Sequence, residues 1–172
     1  MSSTRDLRML SRYTAWADSR LLSAMQALPQ GELALLRAEG PGCMLSMLGI
    51  MAHCHIIDLI WKAHLEGRPH GFTSRLPETL PALEALREQQ AEIDQWYVEY
   101  ADALTEATHG EIVHFDFVDG GSGAMSRRDI LLHVVNHKTY HRGYVVQMFY
   151  QAQARPPVMD IPIFLRDAEL RL

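Results

Sequence analysis

The stretch His133-Val134-Val135-Asn136-His137-Lys138-Thr139-Tyr140-His141 repeats histidine at four-residue steps. On a helix such steps stack side chains along one face, so three imidazoles would form a ladder. Ile130, Val134, Tyr144, Val145 and Met148 share that face and mark it as inward, whereas Arg128, Lys138 and Arg142 are suited to the opposite, wetter side. An imidazole among aliphatic side chains needs partners for its ring nitrogens. A metal ion satisfies one nitrogen while the other donates to a nearby oxygen. Hydrogen bonds to backbone, in the core or at its rim, meet the same need, and an H-x-x-x-H alone is weak evidence for a metal.

A site with three protein ligands needs a donor from another element. His53 offers one, on a face with Gly49, Ile50, Ile56, Ile57 and Ile60. His55, about 200° further round a helix, neighbours Met51, Asp58 and Lys62 and reads as a rim residue. Cys54 is also rotated away and reads as a small buried thiol. His64 and His70, at a block end and in the loop after it, and His109, in another loop, belong to solvent. His114 alternates with Phe115 and belongs to a solvated strand face rather than a cavity mouth.

Three neutral imidazoles suit zinc, nickel or a similar divalent transition metal, with positions left for water or substrate. Hydrolysis of the zinc-protease kind would place Glu directly after the first His of the pair. Val134 follows His133 and Lys138 follows His137, so that general base is missing. The remaining chemistry is to bind a thiol, lower its pKa and present the thiolate to an electrophile. No catalytic acid or base is assigned by the pattern.

The elements that must position these residues are set off by Pro and Gly clusters at Pro29-Gln30-Gly31, Gly40-Pro41-Gly42, Gly67-Arg68-Pro69 and Gly120-Gly121. Four long helical blocks result. In the first, about residues 3 to 28, Leu7, Leu10, Tyr13, Ala17, Leu21 and Ala24 form one stripe. The second, about 44 to 66, is apolar around most of its circumference and central, with Gly67 as its stop. The third, about 79 to 108, buries Leu83, Leu86, Ile93, Tyr97 and Leu104, and the fourth spans about 127 to 153. Between the last two, Val113 to Phe117 alternates as a strand, Asp119-Gly120 turns it, and a second arm falls near Ala124-Met125. The tail from Val158 could pack across an end of the helices. The expected fold class is all-α, with a small β-hairpin before the last long helix.

A chain of 172 residues without linker or repeat implies one domain over residues 1–172. With 16 Lys and Arg against 21 Asp and Glu, its charge of −5 argues against nucleic acid as a partner. No apolar run reaches the roughly 20 residues that cross a bilayer, and MSSTRDLRML lacks the apolar core of a secretory signal, so no membrane and a cytoplasmic location are expected. Cys43 and Cys54, too few for a disulfide framework, would then stay reduced.

His53, followed by Asp58-Leu59-Ile60-Trp61, resembles the second helix of the damage-inducible, DinB-like family, where a ligand His precedes an Asp-x-x-Trp by five positions. Asn136 to Gly143 resembles its N-H-x-T-x-H-R-G signature, Tyr13-Thr14-Ala15-Trp16 its first-helix motif, and Asp160 to Leu165 its C-terminal segment. Order and spacing agree over nearly the whole chain, and the fourth-helix signature is the most specific. The resemblance implies an up-down-down-up four-helix bundle and selects His53, His137 and His141 as metal ligands, leaving His133 as a neighbour. Tyr140 departs from the pattern, standing where many relatives have a further His.

Characterised members of that family include metal-dependent S-transferases and isomerases that use low-molecular-weight thiols such as bacillithiol or mycothiol. The resemblance therefore implies a thiol S-transferase of detoxification or stress response, its partners a small thiol and an electrophile, with the hairpin and tail framing the substrate. The alternatives are a stress-induced metal-binding protein without catalysis, and a bundle with a vestigial triad whose exposed helix mediates pairing. A homodimer is expected, since amphipathic helices in such architectures pair across a two-fold.

Overall fold

The computed structural model describes residues 3–37 and 46–169 of the chain. The break at Gly40-Pro41-Gly42 and the thiol of Cys43 lie outside the described residues. The described residues form six helices and one hairpin: α1 Ser3–Gln26, α2 Gln30–Ala34, α3 Met47–Leu65, α4 Leu83–Ala103, β1 Ile112–Asp116, β2 Ser122–Ser126, α5 Arg127–Gln151 and α6 Ile161–Glu169. The mostly helical fold with a small hairpin matches the fold class read from the sequence. No helix among the described residues is long and apolar enough to cross a membrane.

Local chemistry explains several element ends. Ser46 and Ser126 cap α3 and α5, their hydroxyls accepting from the backbone N–H of Gly49 and Asp129, each at 3.1 Å. After α3, Gly67 takes φ +69 and its N–H donates to the His64 carbonyl, the left-handed stop that glycine adopts without strain. At Pro29 the sequence suggests only a break, but the structure places the short helix α2 directly after it. Pro29 stands at the N-cap, where its carbonyl accepts from the backbone N–H of Glu32 at 2.9 Å and opens the first turn.

The hairpin pairs Val113 with Met125 and Phe115 with Gly123, and Gly120 and Gly121 make its turn at φ +95 and +87. Along β1 the burial alternates, with Phe115 inward and His114 exposed, as expected. In the tail, α6 lies on α1, where Phe164 meets the rings of Tyr13 and Trp16 at 5.8 and 5.6 Å.

Helix α1 packs on α4 and α5, and α3 packs on the same two helices. Among the described residues two large apolar clusters fill the space between the four long helices, and a small third, Tyr13, Ala17 and Phe164, joins α1 to α6. Of the large pair, one joins Leu21, Met25, Met47, Ile50, Leu86, Val145 and Phe149; the other joins Leu7, Ile57, Trp61, Ile93, Tyr97, Ile130 and Leu131. The later halves of α1 and α5 and the earlier halves of α3 and α4 thus meet in the first cluster, and the opposite halves meet in the second.

On each long helix a buried polar residue falls between the two clusters: Asp18 on α1, Asp58 on α3, Gln90 and Asp94 on α4, Lys138 and Arg142 on α5. This corrects the sequence reading of α5. Lys138 and Arg142, expected on a wet face, are 2 and 4 % exposed, because α5 packs against α1 as well as α3 and both cations find carboxylates there. Tyr144 corrects it in the other direction. It is 50 % exposed, with its hydroxyl 2.9 Å from that of Tyr140, one turn away on the outer surface.

Candidate metal centre

Helices α3 and α5 cross with His53 facing His137 and His141. The four-residue step puts the latter two one turn apart on α5, and their Nε2 atoms lie 3.1 Å apart. Nε2 of His53 lies 3.2 Å from Nε2 of His137, and one ligand atom from each ring falls within 4.8 Å of the others. His133, one turn earlier, has its ring 5.8 Å from that of His137 and 5.0 Å from Trp61, and stands outside the cluster.

His53 is aimed by its backbone partner. Its Nδ1 lies 2.8 Å from the carbonyl oxygen of Arg75, in the loop between α3 and α4. A carbonyl only accepts, so Nδ1 carries the proton and the Nε2 lone pair points at the other two rings. Three imidazoles sharing this small space cannot all become charged. Burial, and then mutual repulsion with His141, His53 and His133, lowers the pKa of His137 to about 3. Burial and His53 lower His141 to about 4, and burial also lowers His53. The triad is a cluster of neutral nitrogen donors.

That donor set fits a divalent transition ion. Nitrogens bound tetrahedrally at zinc distances stand roughly 3.3–3.4 Å apart, close to the two separations seen. The outer shell is complete only at His53. The buried Nδ1 atoms of His137 and His141 meet no partner among the described residues, whereas metal-bound imidazoles as a rule donate from the second nitrogen to an oxygen.

The depressed values have a measurable sign. In the unfolded chain these imidazoles take up protons near pH 6.5, but in the fold only near about 3 at His137 and about 4 at His141. Between those limits the unfolded state holds more protons, so the metal-free protein loses stability as pH falls below about 6.5. Urea midpoints of chelated protein between about pH 7.5 and 4.5 should fall more steeply for the natural chain than for His137→Gln. Parallel slopes would contradict the shift.

A cavity of ≈ 240 Å³ opens beside His53 and His137, walled by α3, the Arg75 loop and the hairpin. His64, expected in solvent, lines it, as does His133. The tail does not frame it: none of its lining residues comes from α6, which lies against α1 instead.

Behind the triad lies the polar layer. The Lys138 ammonium sits 2.8, 2.6 and 2.5 Å from carboxylate oxygens of Asp18, Asp58 and Asp94, and Arg142 Nη1 donates to Asp18 at 2.8 Å. Gln90 Nε2 donates to Asp58 and Asp94, each at 2.9 Å, and His55 Nδ1 lies 3.2 Å from Gln90 Oε1, which ties that supposed rim residue to the network. Burial opposes the Lys138 charge, but the three carboxylates outweigh it and hold the amine protonated. Burial, against the pull of Lys138, raises Asp94 to about 7. Burial, then Asp58 and Asp18, raises the Cys54 thiol, so it stays protonated as a small buried group.

Sequence reasoning missed this layer and the part played by Arg75. Carboxylates on apolar surfaces, Asp18 beside Ala17 and Leu21 and Asp58 on the second, largely apolar block, were the visible signs of the layer.

A helical fold with neutral imidazoles converging between two of its long helices defines a class, and the comparison with known families agrees. The chain belongs to the DinB family, whose model matches residues 1–171. Among individual relatives, the protein named Protein DinB from Bacillus subtilis (strain 168) is 25% identical over 170 residues, covering 91% of each chain.

Proposed function

We propose that His53, His137 and His141 hold a divalent transition metal, zinc or nickel, and that the protein is a metal-dependent thiol S-transferase of detoxification or stress response. The observation that carries this reading is the convergence of three uncharged Nε2 atoms at the edge of a cavity. Its scaffold is an up-down-down-up four-helix bundle. The sharing of the two apolar clusters supports that topology, since α1 and α5 enter them in one order and α3 and α4 in the reverse.

A metal ion held there would lower the pKa of a coordinating thiol and favour the thiolate. The chain's own residues do the rest. Arg75 orients His53 through its carbonyl, burial keeps the donors unprotonated, and the hairpin walls one side of the cavity. In the transfer, sulfur forms a bond to an electrophilic carbon, the leaving group departs with its bonding pair, and the thiol proton passes to solvent. Peptide hydrolysis is disfavoured because Val134 and Lys138 stand where a zinc protease has its general base.

Tag-free protein, metal-loaded and then chelated, should be run against a panel of small cellular thiols and electrophiles. We expect turnover that needs metal, is lost with chelator and returns on reloading. Bound metal without turnover on any pair would favour the stress-induced binding protein, and absence of bound metal would end both readings.

A further inference from the structure

The cavity beside the triad has a character of its own. Its inner wall is aromatic: Trp61 of α3 and Phe115 of β1 meet edge to face with centroids 4.8 Å apart, and Ile57 and Ile60 continue the apolar surface. The rim holds two opposite charges, Arg75 and Asp119, joined at 2.7 Å, so the pair adds no net charge at the cavity mouth. Asp116, the other charged lining residue, is exposed and alternates with Phe115, on the His114 side of β1. At ≈ 240 Å³ the space is smaller than the roughly 300–1,000 Å³ of sites for drug-sized molecules.

A second feature shows that this wall is built around the Phe115 ring. Gly123 pairs with Phe115 across the hairpin, and the ring lies over the glycine so closely that a Cβ there would meet Phe115 Cζ at 2.6 Å and Cε2 at 2.7 Å. Only a residue without a side chain leaves the ring where it is. An aromatic side chain folded across a bare glycine is a known way of completing a strand pair, and here it also sets one cavity wall.

From this we infer that the cavity between α3 and the hairpin binds a small, uncharged aromatic molecule of about one ring, seated against Trp61 and Phe115 beside the histidine cluster. The assignment of that molecule as the electrophile rests on the transferase reading; its binding does not, because Trp61, Phe115, Ile57 and Ile60, which form the wall, are not among the proposed metal ligands.

The test uses three probes of nearly one shape, benzyl alcohol, benzoate and benzylammonium, with the full chain in chelated and zinc-loaded forms. Titrations followed by amide and indole NMR should show benzyl alcohol binding to both forms and, in the chelated form, where no metal can ligate a carboxylate, about tenfold more tightly than either ion. The Trp61 indole signal should move, while those of Trp16 and Trp96, outside the cavity lining, stay fixed. Gly123→Ala, which displaces the Phe115 ring without changing His53, His137 or His141, should weaken benzyl alcohol about tenfold. Absence of benzyl alcohol binding, tighter binding of either ion to the chelated form, or a shift at Trp16 or Trp96 in place of Trp61 would each overturn the site. So would natural affinity in a folded Gly123→Ala protein. Probe binding in the absence of any metal-dependent thiol turnover would leave the site standing and remove the transferase reading alone.

Discussion

Replacing His137 with alanine is expected to strip the protein of bound metal. His137 Nε2 lies 3.2 Å from that of His53 and 3.1 Å from that of His141, so its loss leaves only two of the three donors, on different helices. Loss of an outer partner of a metal ligand costs roughly 10–100-fold in affinity, and loss of the ligand itself should exceed that. Elemental analysis of tag-free protein should fall from about one equivalent to a small fraction of one. His133→Ala, outside the cluster, should retain its metal. Equal loading of His137→Ala and the natural chain would remove the metal site, whatever the outcome of the thiol assays.

The second large effect is expected at Lys138. Lys138→Met keeps the length of the side chain but leaves Asp18, Asp58 and Asp94 without the ammonium that lies within 2.8 Å of each. Removing one partner from a buried ion pair typically costs about 3–5 kcal/mol, since the remaining charge has neither water nor counterion. Against a usual total of about 5–15 kcal/mol, the variant should unfold at much lower urea, if it folds at all. Asp94→Asn supplies the control that folds. Burial raises this carboxyl to about 7, so a neutral amide there costs less than loss of the ammonium, and Lys138 keeps Asp18 and Asp58 as partners. The loss of stability in Asp94→Asn should be clearly smaller. Equal losses in the two variants would mean that the layer is held by shape rather than by charge.

These two predictions differ in how far they could be read from the letters. His53 was visible because it shares a helix face with Gly49, Ile57 and Ile60, and the histidine spacing on α5 follows from helical period alone. The family signature then chose among His133, His137 and His141, a choice that spacing leaves open. Lys138 was misread for a physical reason. Its partners come from three other helices, at positions 18, 58 and 94, and no local pattern reports counterions that distant. Arg75 acts on His53 through a backbone carbonyl, which every residue possesses, so no side-chain type could announce it. Phe115 announced an inward strand position, but its place opposite Trp61 depends on the hairpin folding against α3.

The charged belt across the middle of the protein also constrains how the helices can be aligned. If any one of them slid along its axis by a single turn, about 5.4 Å, an ammonium or a carboxylate would be driven into hydrocarbon above or below. Purely greasy surfaces tolerate such slippage; a belt of matched ions admits one setting. His53 and its two companions ride on helices locked by that belt, so the spacing of three rings near one end of the cavity is decided by salt contacts on the far side of the same helices.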